Sequence, residues 1–158
     1  MNQVGCKIVK NRVPPPLWMV LTGALMWLVD RVTPAFHFSV PYLVETRTLV
    51  TLVGVAFVVV AIIQFAKLKT TVNPLEPHKS TSLSTDGVYR ITRNPMYLGL
   101  AIMLLGWGIH LGNPLNLLCI TGFMVLITKW QIKPEEAALR DLFGKEFDDY
   151  CRRVRRWI

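Results

Sequence analysis

Charged residues are missing from two long stretches of this 158-residue chain. Residues 48–66 contain no charged side chain. Residues 94–128 contain none either, apart from His110, which is mostly neutral at pH 7. About 20 uncharged apolar residues suffice to cross a ~30 Å hydrocarbon layer at ~1.5 Å of rise per residue. The fold class that we predict is therefore an all-α integral membrane protein.

Cysteine and histidine are also scarce, with three of each. Cys6, Cys119 and Cys151 are odd in number and far apart, which argues against a disulfide framework and against a metal site built on thiols. The histidines are equally dispersed, and no pair of them has ligand spacing. The sequence contains no internal repeat. We predict a protein without a bound metal.

Four apolar segments are predicted to span the membrane, at residues 14–29, 48–66, 96–111 and 114–128. The last two form a hairpin around Gly112-Asn113-Pro114 and are short. A helix of ~15 residues reaches only ~22 Å, so this hairpin must borrow flanking residues, thin the bilayer or lie partly inside a protein cavity.

Two apolar stretches, residues 32–44 and the first predicted span, need separate interpretation. Residues 32–44 are interrupted by Pro34 and Pro41, which favours an interfacial loop. Basic residues precede the first apolar segment, so a signal peptide is an alternative to a first spanning helix. An anchored helix is simpler, because no small-x-small cleavage site follows cleanly.

The net charge of +8 invites a nucleic-acid partner, but the distribution of charge argues against one. With the four spans placed as above, sixteen of the eighteen Lys and Arg residues lie on one side. This pattern places both termini and the 67–95 loop in the cytoplasm of a multi-pass protein. The C-terminal RRVRRWI is then expected to lie on the membrane surface near anionic head groups.

The polar residues fall into two blocks, 67–95 and 129–158. The first is rich in Ser, Thr, Asn and Pro and is predicted to be mostly loop. In the second, apolar residues recur every three or four positions, which predicts one or two amphipathic helices over 134–157. The residues of that face are Leu139, Phe143, Phe147, Tyr150, Val154 and Trp157. Gly144 is the expected point of interruption.

Three short motifs have both a structural and a functional interpretation. In Arg93-Asn94-Pro95-Met96-Tyr97, Asn94 is a plausible N-cap for a helix that starts at the proline. Gly106-Trp107-Gly108 lies within an apolar segment, where glycines usually allow another helix to approach. Glu135-Glu136 would pair favourably with a helix N-terminus, worth ~0.3–1 kcal/mol.

Taken together, these motifs resemble the isoprenylcysteine carboxyl methyltransferase family, and in particular its short bacterial members. The resemblance rests on the order of TDGVYRITRNPMYLG, a Gly-x-Gly in an apolar hairpin, and EEAALRDLFG, and it covers roughly residues 70–158. Phospholipid N-methyltransferases are more distant kin. The combination is specific, whereas each motif alone is weak.

The resemblance implies a single membrane methyltransferase domain that binds S-adenosylmethionine at the cytoplasmic face and methylates a lipophilic acceptor from the bilayer. Carboxylates suit the ammonium of this cofactor, hydroxyls suit its ribose, and aromatic rings suit its sulfonium. Carried over by position, the implied cofactor-binding residues are Thr81, Ser82, Leu83, Ser84, Tyr89, Asn94, Pro95, Met96, Tyr97, Gly106, Gly108, Glu135 and Glu136.

Two positions depart from the family pattern. Asn94 replaces the usual His and keeps a hydrogen bond but no titratable group. Gln131 stands where eukaryotic members have an Arg linked to the substrate carboxylate, and a neutral amide lacks the cationic fork. Gln131 and Arg93 are candidates for orienting the substrate, with Lys129 or Lys133 as possible substitutes for the cation.

Three alternative functions remain open at this point. The chain could be a non-catalytic module that retains the scaffold, or a methyltransferase for phospholipid amines or thiols. A membrane reductase with a nicotinamide cofactor is a further alternative, but no G-x-G-x-x-G motif follows a strand.

Overall fold

The computed structural model describes residues 13–38, 42–67 and 83–158, and in these ranges the regular structure is helical. A 3₁₀ turn at Pro34–Phe36 lies in the segment expected to form an interfacial loop, and a second occupies Gly87–Arg90. The α-helices are α1 (Pro15–Val32), α2 (Leu43–Lys67), α3 (Pro95–Leu111), α4 (Asn116–Ile127), α5 (Lys133–Phe143) and α6 (Lys145–Arg153).

Within the described residues, one helix is both long and apolar enough to cross a membrane. It covers Leu43–Ala66, 24 residues with a mean hydropathy of 2.7, and most of its side chains face away from the rest of the protein. Helix α3 is apolar but shorter. The apolar segments are thus helical, while the arrangement of four spans stays a prediction.

Helix α3 lies at the centre of the helical bundle. Helices α1, α2 and α4 all pack on it, and its contact with α2 is the most extensive in the protein. That contact is close because glycines meet: a Cβ on Gly99 would lie 2.7 Å from the carbonyl oxygen of Gly54. Helices α1 and α2, in contrast, scarcely touch each other.

Helices α4 and α5 form one continuous helical path through a π turn at Thr128–Ile132. The physical reason is Pro134, which has no backbone N–H and whose ring would clash with the carbonyl four residues earlier. A π turn widens the helix just there. Helix α5 does have Pro134, Glu135 and Glu136 in its first turn, as the sequence indicates, but its N-terminus is not free, because the preceding residues are already helical.

The polar C-terminal block forms two helices that break at Gly144, whose φ of +49° favours glycine. Phe147, Tyr150 and Val154 are buried together with Tyr89 in a second apolar cluster, as the helical spacing predicts. Beyond α6 the chain becomes extended at Val154 and returns to the start of α3. There the Arg93 N–H donates to the Arg155 carbonyl at 3.0 Å.

Candidate functional site

The first turn of α3 and the start of α5 meet through a tyrosine and a carboxylate. The Tyr97 hydroxyl donates a hydrogen bond to Glu135 Oε1 at 2.6 Å, across 38 residues of sequence. Helix α3 begins at Pro95, whose fixed φ suits the first turn, and this start presents Tyr97 to α5. The structure thus joins two of the three motifs singled out in the sequence.

The second carboxylate of the pair, Glu136, is held by two arginines. Arg156 donates from Nε to Oε1 at 3.0 Å and from Nη2 to Oε2 at 2.6 Å, while Arg93 Nη2 donates to Oε1 at 2.8 Å. Burial opposes ionisation of Glu136, but the hydrogen bonds and charges of Arg156 and Arg93 outweigh it and lower its pKa. Glu136 is therefore ionised, and its carboxylate is occupied by structural ion pairs with Arg93 and Arg156.

Glu135 has a different environment. Among the residues that the structure describes, its hydrogen-bond donor is Tyr97, and no arginine or lysine forms an ion pair with it. Burial raises its pKa to about 8, against the lowering effect of the Tyr97 hydrogen bond and with a further increase from the charge of Glu136. A carboxylate in this state would gain most from a cationic ligand.

Tyr89 is the second tyrosine that interacts with Glu135. Its side chain is buried against Phe147, Tyr150 and Val154, and the Tyr150 hydroxyl donates to its carbonyl at 2.7 Å. Burial, followed by the negative charge of Glu135, raises the pKa of Tyr89. The two tyrosines predicted to bind cofactor thus both lie close enough to Glu135 to interact with it.

The Ser/Thr loop before Tyr89 is described only in part. Leu83 packs on the edge of the Tyr89 cluster, and Ser84 follows it in an irregular segment. Thr81 and Ser82 lie outside the described residues. The loop is anchored to α2 by Gln64, whose side-chain oxygen accepts the Val88 N–H at 3.2 Å.

Asn94 occupies the N-cap position of α3, but its side chain makes no capping bond. Its amide instead donates to the Arg156 carbonyl at 2.9 Å, so the expectation of a side-chain N-cap is wrong. Pro95 is buried, and Met96 is partly exposed beside Tyr97. Asn94 therefore ties the C-terminal segment to the residues that carry the candidate site.

The two glycines of the hairpin motif lie away from this site. Gly106 and Gly108 are nine and eleven residues beyond Tyr97, about 14 and 16 Å along the helix at 1.5 Å per residue. A Cβ on Gly106 would collide with Thr51 of α2, and one on Gly108 would lie 3.2 Å from Met26 of α1. Both positions therefore serve helix packing, and their predicted contact with a cofactor stays a prediction.

The two candidates for orienting substrate are both enclosed by protein. Arg93 donates from Nη1 to the carbonyls of Cys151 and Val154 at 3.1 and 3.3 Å, in addition to its contact with Glu136. Gln131 is 1% exposed in the π turn, and its Nε2 lies 3.4 Å from the Val13 carbonyl. Arg93 is thus a structural link between α3, α5 and the C-terminal segment.

Sequence reasoning missed the role of the C-terminal residues. The RRVRRWI segment was expected to lie on a membrane surface, yet Arg156 grips Glu136 and Trp157 Nε1 donates to Thr128 Oγ1 at 3.1 Å. The Arg156 carbonyl also accepts from Thr92 Oγ1 at 3.1 Å. Trp157 does continue the helical spacing of the apolar face, and this was the available signal.

Comparison with known proteins places this sequence in a family. The family model described as phospholipid methyltransferase matches residues 46–146, from α2 into the start of α6. The chain belongs to the phospholipid methyltransferase family. The resemblance to isoprenylcysteine carboxyl methyltransferases is confirmed as well. No solved structure matches the chain significantly.

Three relatives illustrate the similarity. An uncharacterised protein of Haemophilus influenzae is 43% identical over 63 residues, which are 40% of this chain and the whole of that protein. A probable protein-S-isoprenylcysteine O-methyltransferase of Oryza sativa subsp. indica is 38% identical over 46% of this chain and 38% of its own. The corresponding Schizosaccharomyces pombe enzyme is 34% identical over 49% and 33%. The chain thus spans about a third of the length of these two methyltransferases.

Proposed function

We propose that this protein is an S-adenosylmethionine-dependent methyltransferase that acts on a lipophilic acceptor at the cytoplasmic face of a membrane, as a multi-pass protein with both termini cytoplasmic. Family membership supports methyl transfer. The single observation that carries the choice of donor is Glu135, a carboxylate paired with Tyr97 and with no cationic partner among the described residues.

The residues around Glu135 fit such a donor. S-adenosylmethionine supplies a methyl group on a sulfonium, together with an ammonium, a carboxylate and a ribose. Glu135 would hold the ammonium, because a charge-assisted hydrogen bond offsets the cost of burying this carboxylate. Glu136 cannot take this role while Arg93 and Arg156 occupy it. The adjacent Tyr89 and Tyr97 rings offer aromatic faces for a sulfonium.

The remaining residues would position and shield. Tyr97 would fix the orientation of Glu135, and the C-terminal segment, which is hydrogen-bonded to Asn94 and Thr128, would limit the access of water. In-line methyl transfer needs little proton transfer, so most of the rate would come from holding the acceptor against the methyl carbon in a dry site. Leu83 and Ser84 would line the loop side, together with Thr81 and Ser82.

Gln131 limits the chemical classes of methyl acceptor that fit the site. A prenylcysteine carboxylate would be bound best by a cationic fork, and the corresponding position here is a buried neutral amide. This favours a phospholipid amine or a lipophilic thiol over a carboxylate. The three classes are distinguished by transfer of a labelled methyl group to phosphatidylethanolamine, to a long-chain thiol and to a prenylcysteine analogue.

Calorimetry on purified protein in detergent tests donor binding. Wild-type protein should bind S-adenosylmethionine, and Glu135→Gln should weaken binding by about tenfold or more, because one charge-assisted hydrogen bond is lost. Glu146→Gln, a change at an exposed glutamate of α6, is the matched control and should bind as wild type. A folded wild-type protein that shows no binding would end the proposal.

A second outcome separates the enzyme from a non-catalytic module. The buried Gln131 motivates this alternative, since it removes the cation linked to substrate in eukaryotic relatives. Donor binding without methyl transfer to any of the three acceptor classes would support the module.

The predicted membrane topology is tested separately by thiol labelling of two variants, Pro114→Cys and Ser84→Cys, in intact cells. The two introduced thiols should be accessible from opposite sides of the membrane.

A further inference from the structure

A cleft lies between α1 and α2, at the end of the helices away from Tyr97 and Glu135. Both helices pack on α3 and scarcely touch each other, so the second half of α3 forms the floor of the cleft. Its volume is about 790 Å³, within the ~300–1,000 Å³ typical of ligand sites. Neither Tyr97 nor Glu135 lines this space, although Gly106 does.

The walls of the cleft are apolar along most of their length and open towards the side. Small residues create the room: a Cβ on Gly23 would still lie 3.9 Å from the nearest atom, Leu104 Cδ2. Val20 and Leu52, on opposite walls, are 59% and 60% exposed, so the cleft faces the surroundings of the bundle. Its apolar lining includes Met19, Val20, Ala24, Leu52, Met103 and Leu104.

Polar groups gather at one end of this apolar cleft. Arg47 and His110 line it, and Arg47 Nη1 lies 2.5 Å from His110 Nδ1. Thr48 and Thr51 add hydroxyls beside Arg47. Among the described residues, Arg47 has no carboxylate partner, so its charge is not neutralised from within this part of the chain.

A second cavity of about 460 Å³ adjoins this polar end and shares Trp27, Trp107 and His110 with the first. It contributes Arg31, whose guanidinium lies 5.2 Å from the centre of the Trp27 ring. Its carboxylate, Asp30, is bound by His37 Nε2 at 2.6 Å. Two arginines and one carboxylate therefore line the two cavities, so the charged side chains of the lining carry a net positive charge.

Arg31 and Arg47 are unusual in their predicted position relative to the membrane. With the four spans placed as above, Arg31 and Arg47 are the two Lys or Arg residues on the side opposite to the other sixteen. Arg47 lines the apolar cleft, and Arg31 lines the cavity that adjoins its polar end. Cations that depart from the positive-inside distribution and meet at one site are better explained by a ligand than by topology.

We propose that this cleft binds an anionic phospholipid of the leaflet opposite to the candidate cofactor site. The phosphate diester would contact Arg47 and Arg31, which bind phosphate through paired N–H donors, and one acyl chain would run along the floor past Leu104. The inference rests on the proposed membrane location and is independent of methyl transfer.

Native mass spectrometry tests this inference on the full chain released from detergent. Protein is incubated with phosphatidylglycerol or phosphatidylcholine of identical acyl chains. Wild-type protein should retain phosphatidylglycerol preferentially, and Arg47→Gln should lower that retention by about tenfold, because charge-assisted hydrogen bonds to the phosphate are lost. Gly23→Leu, which fills the cleft without a backbone clash, should remove retention of both lipids.

Two matched variants serve as controls. Arg152→Gln removes an exposed arginine of α6, and Gly122→Leu adds the same side chain on α4, where a Cβ meets nothing within 4 Å. Both should retain phosphatidylglycerol as wild type. If Gly23→Leu fails to fold, as its unfolding temperature would reveal, Ala24→Leu fills the cleft from an exposed position instead.

Equal retention of the two lipids by wild type would overturn the proposal, as would retention that survives both cleft-filling variants. A loss of retention in Arg152→Gln or Gly122→Leu as large as in the cleft variants would overturn it too. Binding of S-adenosylmethionine is measured on the same preparations and should be unchanged by Arg47→Gln. Lipid retention therefore tests the cleft proposal, and binding of S-adenosylmethionine tests the proposed function independently of it.

Discussion

Arg156 binds the carboxylate of Glu136 through both of its forked donors, Nε and Nη2, at 3.0 and 2.6 Å. This contact fastens the end of the chain to the start of α5. The same residue accepts from Asn94 through its carbonyl at 2.9 Å, which fastens it to the start of α3. One residue therefore holds together the two elements that present Tyr97 and Glu135.

Removing the charge of Glu136 should destabilise the protein strongly. Its side chain is 11% exposed, and Glu136→Gln would leave Arg93 and Arg156 without a carboxylate. Breaking a buried pair from one side typically costs ~3–5 kcal/mol. Chemical denaturation in detergent measures the effect.

The matched control for this change is Asp149→Asn. Asp149 pairs with Arg152 on the surface, where the two side chains are 49% and 70% exposed. An exposed pair is worth only ~0–1 kcal/mol, so this variant should unfold close to wild type. Equal stability of both variants would show that the ion pairs of Glu136 contribute no more to the free energy of unfolding than an exposed pair.

Tyr97→Phe should weaken donor binding while leaving the fold intact. The change keeps the buried ring and removes only the hydrogen bond to Glu135 at 2.6 Å. The Tyr97 hydroxyl stabilises the ionised form of Glu135, so its loss should raise the pKa of Glu135 further and lower donor affinity by about tenfold, the equivalent of one pKa unit. Calorimetry with S-adenosylmethionine measures it. Tyr42→Phe, at a side chain 81% exposed, should have no effect.

Adding one methyl group between α2 and α3 should be costly. A Cβ on Gly99 would lie 2.6 Å from Val58 Cγ2 and 2.7 Å from the backbone oxygen of Gly54, and a backbone atom cannot turn aside. Overpacking of this kind costs ~1–3 kcal/mol. Thermal unfolding of Gly99→Ala should show this loss. Gly122→Ala enters open space on α4 and should gain ~0.5–1 kcal/mol, because alanine favours the helix.

The helices were largely predictable from the sequence, because hydrophobic runs and three-to-four spacing report local geometry. Pro95 begins α3, and Gly144 interrupts the amphipathic segment. The exception lies just before Pro134, where the sequence indicated a separate helix start and the structure has a continuous helical path. The π turn before it depends on the continuity of α4 and α5, which no local pattern reports.

The candidate site was predictable as a set of residues but not as a set of partners. Glu135 and Glu136 are adjacent and chemically identical, yet one pairs with Tyr97 and the other with two arginines. That distinction arises from where the C-terminal segment returns, across 62 residues from Asn94 to Arg156. Long-range hydrogen bonds of this kind leave no periodic signal in the sequence.

Stability and donor affinity should both depend on the ionisation of Glu135. Burial raises its pKa from the ordinary 4.5 to about 8, so between these values the folded protein holds a proton that the unfolded chain has released. The part of the stability that Glu135 contributes without ligand should therefore be full below about pH 4.5 and fall as pH rises towards 8. Glu135→Gln should flatten this decline, which thermal unfolding across the window measures.

Donor affinity should show the opposite trend. An ammonium favours the ionised carboxylate, so binding below pH 8 must release the proton of Glu135, and affinity should rise by up to tenfold per pH unit until about pH 8. Calorimetry in buffers with different heats of ionisation counts the released proton directly. Glu146→Gln should keep this proton release and Glu135→Gln should abolish it. Binding that proceeds without proton release at pH 6 would mean that Glu135 is already ionised and that burial does not control its charge.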